Sequence, residues 1–133
     1  MKRLLTLCLA AALACFATAA LAADVPSLVG TWEGTPSVHG AKIGYRTGKF
    51  LVLKVVEQKG NVFHGTKSYH RSSVKKDRAE NFSGSIDSAG QVFIADHDEG
   101  YMIGTVTKGG ELELQYGHRG KDAVVVHVLL KKK

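Results

Sequence analysis

Four short stretches of this chain share one shape: a large apolar residue, any residue, a glycine, then Thr or Ser. They are WEGT at 32–35, FHGT at 63–66, FSGS at 82–85 and MIGT at 102–105. The first and third positions lie two apart, so in an extended strand the large side chain and the glycine share a face. That face holds the large apolar groups and is therefore the inner one. Glycine inside a strand gives up packing and costs stability. It also lets a strand bend sharply and a second backbone come close, as closing a sheet into a barrel requires. Kinks repeated at matching places predict a closed barrel rather than a flat sandwich.

The rest of the chain supports strands throughout. Residues 111–116 (ELELQY) alternate strictly, placing Leu112, Leu114 and Tyr116 on one face. Residues 49–58 (KFLVLKVVEQ) and 122–130 (DAVVVHVLL) are longer and rich in β-branched residues. Turn clusters stand between them, and from Gly90 onward a turn glycine recurs at Gly100, Gly110 and Gly120, the spacing of consecutive antiparallel hairpins. The pattern reads as strands at 28–35, 47–58, 61–70, 79–86, 91–96, 101–107, 111–117 and 122–130, with longer connections at 36–46 and 71–78. The expected fold is all-β: an antiparallel, up-and-down, eight-stranded barrel.

Residues 1–22 read as a cleaved signal peptide. Lys2 and Arg3 precede an apolar stretch too short to span a bilayer, and Ala20-Leu21-Ala22 has the small-x-small form of a cleavage site. Residues 23–133 then form a single domain, expected in the bacterial periplasm or outside the cell and not transmembrane. Both cysteines, Cys8 and Cys15, fall in the leader, so the domain relies on its core and not on disulfides. A rival reading anchors the chain through a lipidated Cys15, but Ala12 stands where such sites favour Leu.

Without Lys2 and Arg3 the domain carries 16 basic and 12 acidic residues, a formal charge of +4. Much of the positive charge sits at Arg71, Lys75, Lys76 and Arg78 and at the C-terminal Lys131, Lys132 and Lys133. Charge of this kind governs solubility and attraction to anions rather than fold. Nothing interleaves aromatic with basic residues, and no nucleic-acid partner is expected.

Gly30-Thr31-Trp32 opens the first predicted strand. In this the chain resembles the small eight-stranded barrels of the lipocalin and avidin kind (calycin-type), which carry Gly-x-Trp at that place with the Trp plugging one end. The stretch Leu28-Val29-Gly30-Thr31-Trp32 also resembles the start of an avidin-type chain. The likeness departs elsewhere. Trp32 is the single tryptophan, whereas avidin-type biotin sites are walled by several, and the lipocalin Thr-Asp-Tyr run is absent. The resemblance implies a cup open at one end that holds a small molecule, and it passes on no named ligand.

An eight-stranded barrel has room either for its own side chains or for one small ligand. Alternation places Trp32, Leu51, Leu53, Val55, Phe63, Tyr69, Phe82 and Ile86 inside, joined by Met102, Val106, Leu112, Leu114, Tyr116, Val124, Val126 and Val128. The one inward cation is Lys67, with no histidine or carboxylate beside it. The candidate ligand-binding residues are thus Lys67, Tyr69, Tyr116, Phe63 and Phe82. If the lumen is open, they suit a hydrophobic molecule with an acidic head, charge supplied by Lys67 and hydrogen bonds by the two tyrosines. The bland alternative lays the Lys67 stem along the wall with its ammonium in water at the rim.

Catalysis, cofactors and metals are not expected. The domain has no cysteine, nucleophile elbow, phosphate-binding glycine loop or HExxH. Asp96-His97-Asp98-Glu99 groups acids with a histidine, but four consecutive residues cannot all face one ion, and a polar hairpin tip explains them. His64 and His70 are about 20 Å apart along one strand, and His127 is expected on the outer wall.

Two functional classes fit these features. One is a small-molecule-binding barrel, most plainly for a hydrophobic ligand. The other is a protein-interaction or inhibitor module with a filled core, acting through loops 36–46 and 71–78 on an envelope protein. Arg71, Lys75, Lys76 and Arg78 would then contact an acidic partner in a salt-sensitive way. Self-association would use an outer patch of Val125, Leu129, Phe50, Val52 and Val56. The intact mass of protein recovered from its producing cells is expected to match a chain beginning at Ala23. A lipid-modified chain beginning at Cys15 would contradict that cleavage.

Overall fold

Residues that alternate in the sequence alternate in space. The computed structural model describes residues 25–70, 77–97 and 100–133. The expected leader 1–22, with Cys15, lies outside the described residues, as do Arg71, Lys75 and Lys76. The strands are β1 Gly30–Gly34, β2 Ser37–Gly40, β3 Gly44–Thr47, β4 Leu51–Lys59, β5 Val62–Tyr69, β6 Arg78–Ile86, β7 Gln91–Asp96, β8 Tyr101–Val106, β9 Leu112–His118 and β10 Val124–Lys132. No helix occurs among the described residues.

Strands β1 and β4 to β10 pair in series, all antiparallel, and β1 closes on β10 with Trp32 opposite Lys132 and Glu33 opposite Lys131. This is the expected closed eight-stranded barrel. Every one of the eight predicted strands has its counterpart.

One segment differs. The predicted loop 36–46 is instead the β2–β3 hairpin. β2 continues the β1 register along β10, with Ser37 opposite His127 and Gly40 opposite Val124. The break between β1 and β2 falls at Thr35 and Pro36, where proline lacks the N–H a ladder needs. There the second neighbour switches from β4 to β3, which leaves β3 as the outer strand of a two-stranded extension at the rim. Short, polar strands of this kind carry little hydrophobic period, so turn-forming residues dominate the sequence pattern.

The glycines of the repeat sit where backbones crowd. A Cβ on Gly65 would overlap the carbonyl oxygen of Lys54, and one on Gly104 that of Glu113. A Cβ on Gly34 would overlap the Leu129 carbonyl oxygen. Between β5 and β6 the pattern interlocks: Phe63 lies opposite Gly84 and Gly65 opposite Phe82. Each aromatic ring covers the glycine of the other strand, and the two rings meet edge to face at 6.1 Å between centroids. Such cross-strand cover restores the packing that glycine gives up.

The end of the barrel that holds the β4–β5, β6–β7 and β8–β9 turns, its lower end, is sealed. Trp32 donates its indole N–H to the Leu28 carbonyl at 2.7 Å, and the Lys132 ammonium lies 5.4 Å from its ring centre. A bulge between Val55 and Glu57 shifts the β4 register, so that Gln58 rather than Glu57 turns inward, opposite Phe63. Gln58 Oε1 accepts from the Leu28 N–H at 2.8 Å, and its amide donates to the Pro26 carbonyl at 3.0 Å. The plugging role implied for Trp32 is thus met by hydrogen bonds at the base.

Above that base the interior is packed. Leu53, Phe82, Ile94, Leu112, Leu114 and Leu130 have no exposed surface, and burial of each stabilises the fold by about 1.5–3 kcal/mol. Val92, Ile94 and Leu130 extend the predicted inner face by simple continuation of the alternation. Gly65→Ala is expected to lower unfolding free energy by about 1–3 kcal/mol, as overpacking does. Gly117→Ala, which meets nothing within 4 Å, is expected to stay within about 0.5 kcal/mol. Urea midpoints of the two variants check the pair, and equal midpoints would contradict the crowding argument.

Candidate functional site

Exposure along the inner face changes from one end of the barrel to the other. On β9, Leu112 and Leu114 are buried, while Tyr116 and His118 are partly exposed. On β10, Leu130 and Val128 are buried, while Val126 and Val124 are partly exposed. On β5, Phe63, Gly65 and Lys67 are buried and Tyr69 is partly exposed. The inner face is therefore buried toward the lower end and partly exposed toward the upper end, and the change falls at the level of Lys67. Val38 of β2, opposite Val126, belongs to the same wall.

The level of Lys67 is polar. Lys67, only 3% exposed, sends its ammonium to Glu80 Oε2 at 3.1 Å and to Asp96 Oδ2. Its nitrogen also lies 5.2 Å from the Tyr69 ring centre and 4.8 Å from that of Tyr116, within cation–π range. The Glu80 and Asp96 side chains are 7% and 0% exposed. Tyr69 donates its hydroxyl proton to Glu80 Oε1 at 2.8 Å, and Arg78 Nε stands 4.0 Å from the same oxygen. At the β7–β8 turn Gly100, with φ +86°, presses against the Tyr116 phenol so closely that a Cβ there would come within 2.6 Å of the hydroxyl oxygen.

These contacts set protonation. Burial pushes the Glu80 carboxyl up, but hydrogen bonds from Tyr69 and Lys67, with the charges of Lys67 and Arg78, outweigh it and hold the group below its ordinary value. Burial, then the hydrogen bond to Glu80, pushes the Tyr69 phenol well above its ordinary value. At neutral pH Glu80 is ionised and Tyr69 is neutral.

Tyr69, Tyr116 and Lys67 come together as the sequence predicts. Lys67, however, is neither at the rim in water nor without carboxylates beside it. Two strand ends that look solvent-facing in the sequence bring Glu80 and Asp96 inside. Parity is the signal that could have found them: Glu80 lies two before Phe82 on β6, and Asp96 two after Ile94 on β7. Asp96 is thus a strand residue facing inward rather than part of a hairpin tip, while its neighbour His97 faces outward to Ser83 Oγ at 3.0 Å. Phe63 and Phe82 are placed deeper, in the packed core below Lys67.

The remaining polar candidates are dispersed. His64 pairs with Glu57 at 3.3 Å and His127 with Glu113 at 2.8 Å, both on the outer wall. His70 pairs with Asp77 at 2.9 Å across the start and end of the 71–76 segment. Among the described residues no three His, Cys, Asp or Glu side chains gather to hold a metal. On the outside, Val125, Leu129 and Val56 are exposed on the strands flanking β1. Elsewhere a groove runs over Phe93, Ile103, Thr105 and Gln115. The chain matches no known protein family, curated protein or solved structure.

The buried ion pairs make stability depend on Lys67 and on pH. Lys67→Met strands two buried carboxylates and is expected to cost about 3–5 kcal/mol at pH 7. The loss should shrink as the carboxylates protonate in acid, and urea titrations at pH 7 and pH 4 compare the two. The Glu80 contribution is present above its ordinary value of 4.5 and lost as pH falls through its lower folded value. The Tyr69 contribution is present below its ordinary value of 10.0 and lost as pH rises through its higher folded value. Stability should therefore form a plateau between those limits, and a melting temperature that climbs steadily from pH 5 to pH 9 would contradict this assignment.

Proposed function

We propose that this protein is an exported, lipocalin- or avidin-like barrel that binds a small, largely hydrophobic molecule in the cup at its upper end. The observation that carries the reading is the convergence of Lys67, Glu80, Asp96, Tyr69 and Tyr116 beneath a partly exposed apolar wall. Removing a lysine and two carboxylates from water is costly, and apolar side chains of similar volume fill such a space at no loss of stability. The rest of the lumen is filled in that way. A few converging polar groups, Glu80 and Tyr69 among them with shifted pKa values, at one end of an otherwise apolar barrel, suit a small-molecule site.

The cup is wider in chemistry than in depth. One side presents Val38, Val124 and Val126, and the other presents the two phenols. A bound molecule lays an apolar flank on the valines and turns a polar group to the tyrosines. Phe63 and Phe82 support this floor from below and do not touch the ligand. Binding without turnover fits the protonation states, because an ionised Glu80 and a neutral Tyr69 both sit far from the pH range in which groups trade protons efficiently. Export rests on the leader at 1–22.

The alternative of a partner-binding module rests on the β2–β3 extension, whose Tyr45 is 84% exposed. Native mass spectrometry of the processed protein, gently purified from its producing cells, separates the two. Wild type is expected to carry a molecule of defined mass, and Val126→Trp, which fills the cup, is expected to lose it. An unliganded wild type that takes up nothing from a lipophilic library would contradict the binding reading and favour the module.

A further inference from the structure

We propose that the polar group of the bound molecule is a hydrogen-bond donor, an alcohol or an amine on an apolar body, and not a carboxylic acid. This rests on the small-molecule reading and refines it. A buried lysine beneath a cup invites the opposite expectation, an acidic head paired with the ammonium. The geometry removes that option. The Lys67 ammonium is already engaged by Glu80 Oε2 and Asp96 Oδ2 and lies between the Tyr69 and Tyr116 rings. A ligand carboxylate reaching it would become a third anion around one cation that already holds two, and like charges gathered on one ammonium in a poorly solvated site repel.

What Tyr69 offers a ligand is set by its bond to Glu80. A phenol has one proton to give and lone pairs to receive. Tyr69 gives its proton to Glu80 Oε1 at 2.8 Å, so only its lone pairs are left to bond a ligand, as an acceptor. Its environment raises its pKa and keeps that proton in place. A donor head therefore completes the Tyr69 hydroxyl, while an acceptor-only head such as a carboxylate finds no proton there. An amine adds attraction to Glu80, whose carboxyl stays ionised at neutral pH. The apolar body lies along Val38, Val124 and Val126.

The test is isothermal titration of the processed protein at neutral pH with three molecules of equal chain length: 1-octanol, octylamine and octanoate. Octanol and octylamine are expected to bind at least tenfold more tightly than octanoate. Tyr69→Phe should weaken octanol by roughly three- to tenfold, the worth of one hydrogen bond, and leave octanoate unchanged. Tightest binding by octanoate, or equal binding by all three, would overturn the donor assignment while keeping the cup as a site. Binding by none of them to the wild type would remove the small-molecule reading as well. The series on the wild type decides the matter even if Tyr69→Phe does not fold.

Discussion

The structure depends on how closely neighbouring backbones approach at the repeat glycines. The carbonyl of Lys54 occupies the space where a side chain on Gly65 would begin, and the carbonyl of Glu113 does the same at Gly104. Those contacts let the sheet coil tightly enough for β1 to reach β10. A tightly coiled eight-stranded barrel is narrow, and a narrow lumen is filled by the side chains that line it. The interlocked Phe63–Gly84 and Gly65–Phe82 pairs then make the fill dense. Closure also removes the sheet edges of the barrel itself, leaving β3 on the rim extension as the outer strand.

A filled lower barrel gives the upper end its character. With Trp32, Leu130 and the leucines below, the Lys67 layer is the last buried layer of the interior before the partly exposed upper end. There the chain changes from apolar to charged within one residue pair: Phe82 to Glu80 on β6, Ile94 to Asp96 on β7. Lys67 pairs with both carboxylates at once, and Tyr69 donates to Glu80. The layer is thus the polar cap of the core and, in the proposed reading, the floor of the site.

Much of this is legible in the chain. Alternation and turn glycines locate all eight barrel strands, and the Φ-x-Gly spacing decides which face points inward, because a period of two leaves only two choices. That Trp32 plugs one end is not read from the residue pattern and comes only from the Gly30-x-Trp32 resemblance. The β2–β3 hairpin is not legible, since residues such as Ser37, His39 and Arg46 carry no apolar period and resemble loop composition. Glu80 and Asp96 are hidden for a different reason. Their inward direction follows from parity, but a carboxylate at a strand end is usually solvated, and only the position of Lys67 on a neighbouring strand shows what offsets the cost of burying them. Pairings across strands are properties of the folded sheet.

The central claim is that the barrel is solid below Lys67 and a receptive cup above it. The most direct measurement is an NMR titration of the isotopically labelled domain with 1-octanol, read on side-chain signals. The account predicts shifts confined to Tyr69, Tyr116, Val38, Val124 and Val126, with Ile94, Leu112 and Leu114 unmoved. Shifts at those deep residues would show a lumen that opens along its length, and shifts confined to Phe93 and Ile103 would place binding on the outer wall. Either result would contradict the account.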